Sequence, residues 1–348
     1  MTLFRKVLPF VLLATFSFVP MSAQVARDLK IVFVDVEGGQ ATLFITPAGQ
    51  SLLIDTGWPG NKGRDADRIV AAAKHEGIAK IDYVLLTHYH DDHVGGVPQL
   101  VSRIPVGTFI DHGPNREFDQ GITEHGFAEY QKAISQGSFK RLTVHPGDVL
   151  PIQGMKVTVV SADGELLKRP LDDAGRPNEI CKTTQQRPAD QTENSRSLGV
   201  EITFGRLRVL DLGDLTWDKE VQLMCPTNRL GDVDIDIVSH HGWYQSSSPA
   251  LVYAIHPRIA IMDNGEAKGG SPATFETYAH SASLETLWQL HYSTESGNKN
   301  SALAYIANLP GTDAGYSLEL TAKSDGSFEV LNTRTHAVKH YAAATRTR

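Results

Sequence analysis

Residues 85–96, LLTHYHDDHVGG, place three histidines and two aspartates within six residues, directly after the apolar run Tyr83-Val84-Leu85-Leu86. His88, His90, Asp92 and His93 cannot meet at one point from a straight strand, whose side chains alternate. Nor can they from a regular helix, whose side chains turn by about 100° per residue. A strand that ends at Leu86 and bends into a helix behind Gly95-Gly96 gathers them, the glycines giving the backbone its freedom to turn. Neutral imidazole and carboxylate are the ligands that zinc and similar divalent ions prefer.

Around this stretch, β-branched runs alternate with helical periodicity. Residues 29–36 (LKIVFVDV), 41–46 and 51–55 (SLLID) read as a β-meander broken by Gly and Pro. Residues 65–75 carry Ile69, Val70 and Ala73 at helical spacing and stop before Gly77. Further helices are expected near 97–103, 124–135, 217–224 and 249–255. Further strands are expected at 107–111, 156–161, 197–204, 207–211, 234–239 and 258–262. Mixed order without an internal repeat predicts a layered α/β protein in which helices cover sheets. Residues 165–194, rich in Pro, Asp and Gln, form a long loop without periodicity. The tail, residues 316–341, reads as a hairpin turning at Ser324-Asp325-Gly326 and packed on the core as an edge element.

The composition, 41% hydrophobic and 21% charged, is that of a globular chain. Arg5 and Lys6 precede an apolar stretch from Val7 to Val19 and the small residues Ser22 and Ala23. That is the pattern of a cleaved signal peptide. Export to the periplasm or the extracellular space follows, with residues 1–23 removed. No other run is apolar enough for a membrane anchor. Removing that segment takes away Arg5 and Lys6 and no acid, so the formal charge moves from −7 to −9. Such an acidic balance does not favour nucleic acid as partner. Cys181 and Cys225 are the two cysteines. An exported chain allows them to bridge, and a pair of unbridged thiols is the equal alternative, because sequence does not fix their separation.

HYHDDH resembles the HxHxDH signature of the metallo-β-lactamase superfamily. In the family's order, LLIDTG (52–57) is similar to its Asp-bearing first motif, VLDLGDLT (209–216) to the strand-end aspartate that bridges two metals, and IVSHHGW (237–243) to its late histidine motif. With IVFVDVEGGQATLF (31–44), the set resembles the subgroup that contains the metallo-β-lactamase domain of bacterial competence (DNA-uptake) channel proteins. The resemblance covers about residues 29 to 310. It implies a four-layer αββα sandwich: a hydrolase domain over 28–310, preceded by the signal segment and followed by a C-terminal β-hairpin extension over 311–348. It also implies two divalent ions, zinc or alternatively manganese. His88 and His90 would hold the first ion. Asp92, His93 and one of His240 and His241 would hold the second, with Asp214 between them. Asp55 would orient a ligating imidazole. The third histidine that most members give the first ion falls within Glu193-Asn194-Ser195-Arg196-Ser197, which has none, so Glu193, Asn194 or water would complete it. His88 and His90, which that subgroup often loses, are both kept, which argues for a working two-metal site. Glu37-Gly38-Gly39-Gln40 replaces the subgroup's GQGD turn, so a DNA-uptake substrate is not inherited.

A divalent pair lowers the pKa of water held between the ions to about 7 and presents hydroxide to a carbonyl or phosphorus. No GxSxG elbow suggests a serine nucleophile instead. The candidate catalytic residues are Asp91, Asp92 and His241. Asp91, or whichever of His240 and His241 does not ligate, would pass a proton to the leaving group. Tyr89, Trp243 and the 165–194 loop would line the pocket. The expected function is an exported hydrolase acting on a phosphodiester or phosphate ester. The alternatives are a lactam, lactone or thioester hydrolase, and a non-catalytic metal-binding protein.

Overall fold

A computed structural model describes residues 28–118 and 121–345; the expected signal segment lies outside the described residues. The N-terminal half forms β1 (Leu29–Phe33), β2 (Thr42–Ile45), β3 (Ser51–Ile54), β4 (Ile81–Leu85), β5 (Val106–Asp111) and β6 (Lys140–Thr143). The second half forms β7 (Lys156–Ala162), β8 (Glu165–Leu166), β9 (Gly199–Phe204), β10 (Leu207–Asp211), β11 (Ile235–Ile237), β12 (Ile259–Met262), β13 (Thr286–His291) and β14 (Ile306–Asn308). The chain then returns to the first sheet as β15 (Leu318–Ala322), β16 (Phe328–Asn332) and β17 (Ala337–Tyr341). The two sheets run β17-β16-β15-β1-β2-β3-β4-β5-β6 and β14-β13-β12-β11-β10-β9-β7-β8.

Side-chain alternation sends each strand's residues into two different cores. Ile31, Phe33, Phe44, Leu52, Ile54 and Leu85 face Val157, Val200, Ile202, Val209, Ile235 and Ile259 between the sheets. Val32, Val34, Leu43, Leu53 and Val84 face outward, under helices α1 (Arg64–His75), α3 (Val97–Val101) and α4 (Gly121–Gln136). The short α2 (Asp91–Val94) belongs to the motif itself. On the far side, Leu210 and Leu212 pack under α5 (Trp217–Met224) and α6 (Pro249–Val252). Val238, Ala260 and Met262 pack under α7 (Pro272–Ala279). Helix, sheet, sheet and helix are therefore stacked as the resemblance implies.

β15 and β16 make the expected hairpin, but it is no loose edge. β15 pairs with β1 from Leu29↔Ala322 to Phe33↔Leu318, and Leu318, Leu320 and Val330 enter the core between the sheets. The third strand, β17, escapes sequence reading because four of its five residues are exposed or half-exposed. Tyr341 closes it by hydroxyl contacts with Thr286 (2.9 Å) and the Trp288 indole (3.0 Å). No helix among the described residues is long and apolar enough to cross a membrane.

Both sheets have a parallel region, β3-β4-β5 in one and β10-β11-β12 in the other. Their carboxyl ends open on the same side, where ligands bind in open α/β sheets. The LLIDTG, HYHDDH, LGD and SHHG segments each follow one of these ends.

Candidate metal centre

The chain leaves β4 extended through His90 and then turns into α2. Extended backbone alternates, so His88 and His90 share one side while Tyr89 takes the other. Tyr89 is fully buried between His112 and Phe127, and its hydroxyl donates to Gly113 O at 2.5 Å. It is core packing and does not line the pocket. In α2, consecutive side chains diverge by about 100°. Asp92 and His93 point into the site, whereas Asp91 turns away, its Oδ1 lying where a Cβ on Gly126 of α4 would come within 2.8 Å. The structure thus does not bring Asp91 to the cluster, and the proton-passing role expected of it has no geometric support. Gly95 and Gly96 serve close approach rather than an unusual backbone angle. Their φ values are ordinary (−64° and −75°), but added Cβ atoms would stand 2.3 Å from Pro59 Cδ and 2.0 Å from Thr56 O.

Asp214 follows β10, and the pair His240-His241 follows β11. Both histidines adopt left-handed backbone, φ 57° and 52°, a conformation that costs roughly 1–2 kcal/mol per residue and persists at functional sites. This sends their rings to opposite oxygens of one carboxylate. Asp214 Oδ2 lies 3.4 Å from His240 Nε2 and 3.9 Å from His88 Nε2. Asp214 Oδ1 lies 3.3 Å from His93 Nε2 and 3.5 Å from His241 Nε2, and accepts no hydrogen bond although buried. Neither member of the pair is left over as a free acid or base.

Four of the five imidazoles have one nitrogen hydrogen-bonded outward, and the fifth, His241, turns its Nδ1 toward a carboxylate. His93 Nδ1 donates to Asp55 Oδ2 (2.7 Å), and His90 Nε2 to Glu117 Oε2 (3.1 Å). His241 Nδ1 lies 3.3 Å from Asp263 Oδ1, His240 Nδ1 3.3 Å from Ser246 Oγ, and His88 Nδ1 3.1 Å from Thr87 Oγ1. Carboxylates only accept, so Nδ1 of His93 and Nε2 of His90 carry hydrogens, and the opposite nitrogens are the ones turned toward the cluster. Those inward nitrogens crowd one another: His93 Nε2 and His241 Nε2 are 3.1 Å apart, and His88 Nε2 and His90 Nδ1 are 3.0 Å apart.

A divalent cation fits this donor set. Two donors each about 2.1 Å from one tetrahedral ion stand about 3.4 Å apart. In the tight set Asp92, His93, Asp214 and His241, whose ligand atoms all lie within 4.8 Å of one another, Asp92 Oδ2 is 3.4 Å from His93 Nε2 and 3.1 Å from His241 Nε2. Around the other oxygen, Asp214 Oδ2, His240 and His88 stand as a looser donor set, with His90 Nδ1 3.0 Å from His88 Nε2. Glu193 does not join it, because its carboxylate is taken by the His112 ring (3.1 Å) and Arg116 N (2.7 Å). Asn194 Nδ2 approaches only as far as 3.4 Å from His240 Nε2. Burial pushes the His240 imidazole down to about 4, so it stays neutral and able to ligate. Burial pushes the Asp214 carboxyl up, but His240, His93 and His241 outweigh it and hold the group well below the usual carboxylate range.

Several contributors carried no sequence signal. Glu117 and Lys268 sit in no motif, and Lys268 Nζ contacts Asp92 Oδ2 directly. Asp263 was findable: like Asp55, it is an aspartate at the end of an apolar strand. Cys181 and Cys225 are bridged, tying the 165–194 loop to the end of α5. That loop reaches the pocket side, with Arg187 Nη1 donating to Tyr244 O at 2.7 Å and its guanidinium 3.6 Å from the Trp217 ring centre. Because Asp55 fixes the His93 ring, Asp55→Ala is expected to weaken metal affinity by roughly 10–100-fold, read by competition with a chromogenic chelator. An unchanged affinity would remove Asp55 from the site.

Residues 35–165 match the family model described as the metallo-beta-lactamase superfamily. Recombination protein 2 of Haemophilus influenzae is 26% identical over 234 residues, 67% of this chain and 24% of that protein. Hydroxyacylglutathione hydrolase of Klebsiella pneumoniae is 33% identical over 98 residues, 28% of this chain and 31% of that protein. The chain thus spans between about a quarter and a third of these curated relatives. Among solved structures, the metallo-beta-lactamase fold protein YhfI of Bacillus subtilis superposes with a TM-score of 0.46 at 14% identity, covering 84% of this chain and 99% of that one. The match to the metallo-beta-lactamase superfamily model covers residues 35–165, which hold the LLIDTG and HYHDDH segments, so the superfamily domain is shown for that stretch of the chain.

Proposed function

We propose that the protein is an exported hydrolase with two divalent ions, zinc or manganese, acting on a phosphodiester or phosphate ester. The observation that carries this is the division of four inward imidazole nitrogens between the two oxygens of Asp214, His88 and His240 at Oδ2 and His93 and His241 at Oδ1. When bound, a pair of divalent ions would supply an acidified water and charge stabilisation for an in-line displacement, which suits phosphoryl transfer. In this reading His88, His90 and His240 would hold one ion and Asp92, His93 and His241 the other, with Asp214 available to both. Asp55, Glu117 and Asp263 keep the rings in register. The disulfide supports export, since bridges persist in oxidising compartments.

The test is metal analysis of protein purified without chelator, followed by assays on bis-p-nitrophenyl phosphate, a lactam, a lactone and a thioester with added zinc or manganese. Two ions per chain and turnover of the phosphodiester are expected. Turnover confined to the carbonyl substrates, the class suggested by the hydroxyacylglutathione hydrolase likeness, would overturn the substrate assignment. One ion or none would overturn the two-ion reading.

A further inference from the structure

We infer that Lys268 is the substrate-binding cation of this centre, its ammonium receiving an anionic oxygen of the phosphoryl group at the lip of the ligand cluster. This rests on the phosphoester reading above. Lys268 Nζ donates to Gly38 O at 2.6 Å and to Asp92 Oδ2, and stands 5.1 Å from the centre of the Trp58 ring. An ammonium has three hydrogens. These acceptors use two, and with the side chain 37% exposed the third remains available to a ligand.

The backbone under Lys268 is fixed to the metal-ligand loops on both sides. The turn is closed by Gly265 N donating to Lys268 O (2.8 Å), and Gly270 N and Ser271 N donate to His241 O (2.8 Å) and Gly242 O (2.9 Å). Gly269 has φ +73°, and a Cβ there would lie 2.1 Å from His241 O, so only glycine lets the two turns come this close. Opposite, the Glu37-Gly38 turn packs on Gly265. The ammonium is therefore delivered to the cluster by a preorganised turn, which reduces the entropy lost on binding.

Charge then decides what it selects. Asp92 and Asp214 are the carboxylates that face inward, and two divalent ions more than balance them, so Lys268 adds to a net positive mouth. A neutral lactam or lactone oxygen gains little from that ammonium. An anionic phosphoryl oxygen gains a charge-assisted hydrogen bond, about twice as strong as a neutral one.

The test is calorimetric titration of inorganic phosphate into the zinc-loaded full chain, comparing wild type, Lys268→Met and Lys268→Arg, with bound metal quantified in each. Phosphate affinity is expected to fall by about tenfold or more in Lys268→Met, with metal content unchanged, and to return in large part in Lys268→Arg. Equal affinity in wild type and Lys268→Met overturns the inference, as does failure of the wild type to bind phosphate. Loss of metal in Lys268→Met also overturns it, making the lysine a support for Asp92. Because the readout needs no turnover, absence of phosphoester hydrolysis would sink the proposed function while leaving a Lys268-dependent phosphate site standing.

Discussion

Asp214→Asn is expected to lower the bound metal from two ions per chain to one and to cut turnover about a thousandfold or more. The carboxylate is the one group common to both donor sets, with Oδ2 toward His240 and His88 and Oδ1 toward His93 and His241. An amide keeps its shape but offers a single acceptor oxygen and turns an NH2 toward imidazole lone pairs. One set loses its ligand and gains an opposed donor. Outer partners such as Asp55 are worth roughly 10–100-fold, and a shared ligand between two ions should exceed that. Metal stoichiometry by mass spectrometry and single-turnover rates on bis-p-nitrophenyl phosphate check it. Two ions retained with turnover within tenfold of wild type would remove Asp214 from the bridge.

Much of this centre was legible because its parts are local. LLTHYHDDHVGG announces itself within twelve residues, and helix α5 matches the expected bounds 217–224, since it lies between an extended Thr216 and an extended Cys225. What stayed hidden is orientation and long-range contact. Asp91 and Asp92 are indistinguishable as letters, yet one helical step sends one to the cluster and the other to α4. His240 and His241 offered a choice of one ligand, and two successive left-handed residues instead aim both rings at Asp214. Lys268 meets Asp92 across 176 positions of sequence, and Gln40 meets Asp211 across 171. Nothing in an isolated Lys or Gln marks such a partner. The strands were readable where apolar residues run together, as in β1 and β2, whose residues are nearly all buried, and unreadable in β17, four of whose five residues are exposed or half-exposed.

Replacing both cysteines, Cys181→Ser with Cys225→Ser, is expected to cost about 4 kcal/mol of stability. The bridge closes a loop with a sequence separation of 44, and the chain-entropy model gives about 4 kcal/mol for a loop of that length. Changing both residues avoids a stray thiol that would form other disulfides. The loss falls on the loop carrying Asn178, whose side chain donates to Met224 O (3.1 Å) and Ala250 O (2.8 Å), and so binds the loop to α5 and α6. The same segment runs on to Arg187 against Trp217 and to Asn194 beside His240. A loosened loop therefore frees the side of the looser donor set, and affinity for the ion there should drop before that for the Asp92-His93-His241 ion. Urea denaturation with and without reductant, alongside stepwise metal titration, reads both effects. A midpoint unchanged by the double substitution would show that the non-covalent contacts hold the loop without the bridge. Equal weakening of both ions would show that the loop acts on the whole fold rather than on the His240 side.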